Sequence, residues 1–187
     1  MTNNTCDIAV IGAGPAGSMA AFHAAKAGRS VYLFDRNSHV GVPVRCGEGI
    51  GLKSFNKHIG SRSEWTLNKI EKSVMVSPSG IRVNIGNIDE SYIVDREKMD
   101  GDLAAQAAAA GATLLLSTTV THVRRTVDNR YECITPDQTV SAACVIIADG
   151  VESRCARFLG WNTAVSPIDI ETCAFCHVAS PLIDNTA

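Results

Sequence analysis

The first hydrophobic segment, Ile8-Ala9-Val10-Ile11, shows no polar alternation and has the length of a strand buried on both faces. It breaks into Gly12-Ala13-Gly14-Pro15-Ala16-Gly17, and the alanine-rich stretch that follows predicts a helix running to about Ala27 and stopping at Gly28. Ser30 to Phe34 predicts a second strand, and Leu52 to His58 a short helix. Lys72 to Ser77 and Ile81 to Ile85 are β-rich runs around Pro78-Ser79-Gly80, which predicts a hairpin, with Ser91 to Val94 as a further strand. Asp95-Arg96-Glu97-Lys98 then opens a second alanine-rich helix, Glu97 to about Ala110, ended by Gly111. Leu114 to Val123 is strand-like, and Tyr131 to Ile134 with Thr139 to Ala142 flank a turn at Pro136-Asp137. Cys144 to Ala148 is a buried-strand run ending in Asp149-Gly150, followed by a helical stretch, Val151 to Leu159, and a last strand-like run, Thr172 to Val178. The order is βαβ, an insertion of strands, then αβ, a hairpin and a final strand. It predicts an α/β fold in which a discontinuous nucleotide-binding domain (1–60 and 96–160) is interrupted by the start of a sheet-based second domain (61–95 and 161–187).

The glycines after the first strand fit G-x-G-x-x-G, and each has its own reason. Gly12 permits the tight turn, Gly14 lets a pyrophosphate approach the backbone, and Gly17 lets the helix pack closely on the sheet. Pro15 suits the first helical position, where its missing N–H costs nothing. Asp35 ends the second strand eighteen residues after Gly17, where a carboxylate can accept hydrogen bonds from both ribose hydroxyls of an adenosine. Strand, glycines, helix, strand and acid in this order point to a dinucleotide site. A glycine-rich turn in an ordinary βαβ unit would leave Asp35 unexplained.

Composition narrows the class. The 187 residues are 45% hydrophobic and 19% charged, enough to bury a core. A net charge of −2 provides no electrostatic footprint for nucleic acid. Asp7 and Gly12 interrupt the N-terminal apolar run, so no signal peptide is expected, and no window reaches the roughly 18 apolar residues of a membrane span. Seven cysteines form an odd set without disulfide-scaffold spacing, which suits free thiols in a cytoplasmic protein.

A second concentration of chemistry is the loop Pro43-Val44-Arg45-Cys46-Gly47-Glu48-Gly49. Its density of glycine suggests a backbone that approaches a ligand closely. Cys46 is a candidate proton donor, because an ordinary thiol, with a pKa of about 8.5, is mostly protonated at neutral pH. Glu48 is an alternative proton source, and a small residue packed in a tight loop is the plain alternative for Cys46. Asp149 either bonds to a bound dinucleotide or caps the helix that follows it. Cys173-Ala174-Phe175-Cys176-His177 matches the haem-attachment pattern. In a strand the two cysteines point to opposite faces, so neither haem nor metal is expected there.

Together these pieces resemble the glutathione-reductase-type FAD proteins, in the branch shared with aromatic hydroxylases. The N-terminal fingerprint, Arg96 with Asp100 and Leu103, and Ala148-Asp149-Gly150-Val151-Glu152-Ser153 carry the resemblance. Hydroxylases of this branch usually place an arginine three residues after that serine, where this chain has Ala156. Arg157, one residue later, has the spacing of geranylgeranyl reductases. The P-V-R-C-G-E-G loop is similar to the same family's flavin-side motif, so the chain is identified as a member of the geranylgeranyl reductase family. The resemblance implies a Rossmann-like FAD-binding domain interrupted by a β-sheet substrate domain. It implies FAD contacts at Ala16, Asp35, Cys46, Gly47, Gly49, Arg96 and Val120, several of them through backbone. It also implies saturation of C=C bonds in isoprenoid chains of a membrane lipid, with a donor such as ferredoxin, a reduced nicotinamide or a deazaflavin, and peripheral contact with the membrane. The family's later Gly-Asp flavin segment has no counterpart after Gly160, so an N-terminal portion of a protein about twice as long is expected. The alternatives are a flavin monooxygenase or halogenase on the same fold and a truncated, non-catalytic fragment.

Overall fold

The computed structural model describes residues 3–60, 62–70, 72–85, 90–170 and 174. Strand β1 (Asn3–Ile11), helix α1 (Pro15–Lys26) and strand β2 (Val31–Phe34) open the chain. Next come β3 (Gly49–Gly51), α2 (Leu52–His58), β4 (Thr66–Ile70), β5 (Ser73–Val76), β6 (Arg82–Ile85) and β7 (Ser91–Val94). Helix α3 (Arg96–Ala109) leads to β8 (Thr113–Leu115), β9 (His122–Arg125), β10 (Tyr131–Ile134), β11 (Thr139–Ile147) and α4 (Arg154–Phe158).

The described residues fall into two compact units, 3–43 with 100–170 and 44–99. The second unit begins at residue 44 rather than at 61, because β3 pairs antiparallel with β7.

In the first unit a six-stranded sheet runs β8-β2-β1-β11-β10-β9. The first four strands are parallel and the last two pairings antiparallel. The register matters for function. Ile11 pairs with both Phe34 and Ile147, and Phe34 pairs with Leu115, so the four parallel strands end level with one another. The loops after them therefore gather at one edge, outside the carboxyl ends where open α/β sheets take their ligands. One core cluster joins Val10, Val31 and Leu33 of the sheet to Ala21 and Ala25 of α1 and to Ala104 and Ala107 of α3. Small alanine faces let both helices lie close to the strands. A second cluster joins Cys6, Ile11, Phe34, Val123, Cys133, Val140 and Cys155.

In the second unit β3-β7-β4 form one antiparallel sheet and β5-β6 a separate hairpin. Phe55 of α2 and Trp65 are fully buried, with ring centroids 6.0 Å apart, and the Arg62 guanidinium lies 4.9 Å from the Trp65 ring.

Four expected elements take a different form. Leu114 to Val123 is not one strand: β8 pairs with β2 and β9 with β10, and the chain turns between them through Ser117 at φ 50°. Thr139–Ala142 and Cys144–Ala148 are instead a single strand, β11, because β1 accompanies it from Thr139 to Ile147. The helix expected over Val151–Leu159 shrinks to α4, since the Ser153 N–H donates to Gly150 O in a turn that keeps Ser153 left-handed. The run Thr172–Val178 and the motif Cys173 to His177 lie outside the described residues, Ala174 apart.

Candidate functional site

The fingerprint turn is built by close backbone approach. The Gly12 N–H donates to Phe34 O and the Ala148 N–H to Ile11 O, each at 2.8 Å, so the turn is knitted to both neighbouring strands. Gly12 has φ 99°, and a Cβ there would stand 2.3 Å from the Ala148 carbonyl oxygen. A Cβ on Gly17 would stand 1.8 Å from Gly12 O. Gly14 differs: a Cβ on it meets nothing of the chain within 4 Å, although the backbone around it is closely packed. Space is left at the glycine where a turn of this kind admits a pyrophosphate. Beside that space, α1 starts at Pro15 with Gly14 as N-cap, no side-chain cap and no acid in its first turn. Its first N–H groups and the positive end of its dipole suit an anion.

Asp35 is held from two sides. The Ala13 N–H donates to Asp35 Oδ2 and the Asn37 N–H to Asp35 Oδ1, both at 2.8 Å. The carboxylate thus joins the fingerprint turn to the loop after β2, and each oxygen keeps a lone pair for a ribose hydroxyl. The Thr118 N–H donates to Asp35 O, which brings the loop carrying Val120 to the same edge. Asp149 lies in the loop after β11, where its Oδ2 accepts the Cys155 N–H at 2.8 Å and caps α4. The first unit therefore gathers Gly12, Gly14, Ala16, Gly17, Asp35, Val120 and Asp149 around the carboxyl ends of its parallel strands.

Sequence reasoning passed over Ser18. It is fully buried, and its hydroxyl donates to Ala13 O at 2.8 Å, which fixes the peptide before Gly14. Its signal was a lone hydroxyl among the small apolar residues of the first turns of α1.

The second unit holds the other candidates. Cys46 is half-buried, and its Sγ accepts the Glu48 N–H at 3.4 Å. Gly47 and Gly49 on either side of Glu48 have open space where a Cβ would stand. The Val94 N–H donates to Glu48 O at 3.0 Å, and Gly49 pairs with Ile93, so the loop lies beside the end of β7. Two residues beyond Val94, Arg96 opens α3, whose N-terminus is capped by Asp95 Oδ1 accepting the Lys98 N–H. Strand pairing thus brings Arg96 and the Cys46 loop, fifty residues apart in sequence, to one place.

The thiols divide by burial. Burial pushes Cys133 up to about 12 and Cys6 up from the usual thiol range. Cys155 is also pushed up to about 12, by burial and by the neighbouring Asp149 carboxylate. These three stay protonated and packed, whereas Cys46 is half-buried and Cys144 exposed. Among the described residues no group of three or more His, Cys, Asp or Glu side chains could hold a metal ion. Among them, no helix is long and apolar enough to cross a membrane.

A turn, a helix start and an acid arranged in this way define the class of dinucleotide-binding α/β proteins. The sequence model of the FAD-dependent oxidoreductases matches residues 7–150, and the chain belongs to that family, whose cofactor is FAD. Within it, the chain is 41% identical over 191 residues to digeranylgeranylglycerophospholipid reductase 1 of Methanothermobacter thermautotrophicus, covering 96% of this chain and 48% of the relative. Digeranylgeranylglycerophospholipid reductase of Methanosarcina mazei is 38% identical over 187 residues, covering 96% of this chain and 46% of the relative. The chain thus spans about half the length of these curated relatives. A geranylgeranyl bacteriochlorophyll reductase-like crystal structure from Thermoplasma acidophilum superposes with a TM-score of 0.76 at 30% identity, over 88% of this chain and 44% of that one. A halogenase in complex with FAD gives 0.66 at 19% identity, over 84% of this chain and 36% of the other, and shares the fold alone.

The clamp on Asp35 yields a test. Asp35→Ala is expected to weaken FAD binding in the full-length protein by about 1–3 kcal/mol, the cost of lost charge-assisted hydrogen bonds. Asp35→Asn is expected to recover little, because an amide can accept only one of the two N–H groups that the carboxylate holds. Fluorescence titration with FAD measures both; unchanged affinity in Asp35→Ala removes this residue from the site.

Proposed function

We propose that the whole protein is an FAD-dependent reductase that saturates C=C bonds in the geranylgeranyl chains of a membrane lipid. The observation that carries this reading is the 41% identity, across 96% of this chain, to a protein named digeranylgeranylglycerophospholipid reductase. The half-buried thiol and open glycines of the Pro43–Gly49 loop support it.

In this reading Gly12, Gly14, Ala16 and Gly17 cradle the pyrophosphate of FAD, Asp35 holds the ribose of its adenosine, Val120 contacts FAD, and Asp149 bonds to its pyrophosphate or ribose. Cys46, Gly47, Gly49 and Arg96 hold the flavin side, several through backbone. FAD, bound there and reduced, would supply the hydride that one alkene carbon takes up. The Cys46 thiol donates its proton to the other carbon, with Glu48 as the alternative acid, so that the double bond becomes a saturated C–C bond. Electrons come from an external donor such as ferredoxin, a reduced nicotinamide or a deazaflavin. The substrate's apolar chains bring the protein to the membrane surface as a peripheral partner.

The test is anaerobic. The reduced full-length enzyme, mixed with a geranylgeranyl lipid, is expected to oxidise its flavin without oxygen and to add pairs of hydrogens to the chains. Mass spectrometry of the lipid decides the class. A flavin that stays reduced until oxygen enters, with oxygen found in the product, would mean a monooxygenase and sink the reductase reading.

A further inference from the structure

In the Pro43–Gly49 loop, glycine and its neighbours have exchanged their usual places. Neither Gly47 nor Gly49 takes a positive φ, yet Glu48 between them sits at φ 62°, in the left-handed region. A residue with a side chain costs about 1–2 kcal/mol there, and such an outlier persists only where its surroundings over-determine it.

Two bonds hold it. On one side Glu48 O accepts the Val94 N–H at 3.0 Å, at the start of the β3–β7 ladder. On the other, the Glu48 N–H donates to Cys46 Sγ at 3.4 Å. This second bond closes a small ring over residues 46–48, the sulfur counterpart of the local turns that serine and aspartate side chains make with backbone. A cysteine side chain on an open loop has three rotamers available, and the bond selects the one that meets the N–H.

We infer that Glu48 is a positioning residue for Cys46: its left-handed backbone, anchored by Val94, aims the N–H that holds the thiol in one orientation. The inference rests on the proposed reductase reading only for what the thiol then does, since the arrangement itself lies wholly within the loop and the end of β7.

The experiment uses the full-length protein with FAD bound and its glutamates labelled with nitrogen-15. The Glu48 amide is expected to exchange with solvent roughly 10-fold or more faster in Cys46→Ala than in the wild type, because its acceptor is gone. Two substitutions at residue 48 separate backbone from carboxylate. Glu48→Val, whose branched side chain resists the left-handed region, is expected to lower kcat per bound FAD about 10-fold or more. Glu48→Gly, which adopts that region freely, is expected to turn over several-fold faster per bound FAD than Glu48→Val. In a Cys46→Ala background, Glu48→Val is expected to have no further effect on kcat, as for two residues acting through one group. Equal amide exchange with and without the sulfur, a Glu48→Gly variant as slow as Glu48→Val, or additive losses in the double variant each overturn the proposal. Should Glu48→Val not fold, amide exchange in Cys46→Ala still decides. That exchange depends on neither lipid nor electron donor, so its outcome stands apart from the reductase reading.

Discussion

Gly17→Ala and Gly14→Ala are expected to fail in opposite ways. A Cβ at Gly17 would lie 1.8 Å from Gly12 O and 3.0 Å from Gly12 C. Both atoms belong to a backbone tied to Phe34 and Ala148, so neither can move aside cheaply. Overpacking of this kind costs about 1–3 kcal/mol and sometimes more, and the melting temperature should fall by about 2–12 °C, with FAD lost in consequence. Gly14 has φ −62° and ψ 178°, which alanine adopts without strain, and its Cβ would meet no atom of the chain. Gly14→Ala should therefore melt within about 1 °C of the wild type yet bind FAD on the order of 10- to 100-fold more weakly, because the methyl takes the ligand's space. Thermal melts of the apoprotein alongside FAD titrations separate the two. Full FAD content in Gly14→Ala removes that residue from the cradle, and a Gly17→Ala protein of normal stability contradicts the packing described.

The other large effect is on chemistry. Cys46→Ser is expected to keep FAD but slow lipid reduction on the order of 10²–10⁴-fold, the usual worth of a positioned acid, since a serine hydroxyl gives up its proton far less readily. Cys133→Ser and Cys155→Ser supply the contrast. Both thiols are buried and pushed up to about 12, so these variants should lose stability rather than turnover per bound flavin. Single-turnover rates of flavin reoxidation by lipid, normalised to FAD, distinguish the two kinds of loss. A Cys46→Ser enzyme at wild-type speed rejects the acid assignment and returns Glu48 to that role.

Residues that speak through their neighbours in sequence were readable without coordinates. The apolar run before Gly12, the spacing of Gly12, Gly14 and Gly17, the acid at Asp35 and the stops at Gly28 and Gly111 are local chemistry. They predicted α1, β2 and α3 to within a residue or so and the end of β1, whose start lies five residues earlier, at Asn3. The division of labour among the glycines was partly readable too: the turn at Gly12 and the close packing at Gly17 are properties of the motif itself.

Other features depend on which strands meet, and no local pattern carries that. Leu114 to Val123 reads as one apolar stretch, but its two ends pair with β2 and β10, so it breaks. Thr139 to Ile147 reads as two stretches, and β1 makes it one strand. The two N–H groups on Asp35 come from residues 13 and 37, and only the level ends of β1 and β2 bring them to one carboxylate. Likewise, the left-handed Glu48 was hidden between two glycines that local chemistry marks as the flexible positions. Sequence by itself determined that this chain binds a dinucleotide on a βαβ unit and carries a thiol in a glycine-rich loop, because turn and helix preferences act over a few residues. Tertiary structure alone decided that Asp35 clamps two loops, that the Cys46 loop lies beside Arg96, and that Glu48 bears the strain, because backbone hydrogen bonds between strands far apart in sequence set those positions.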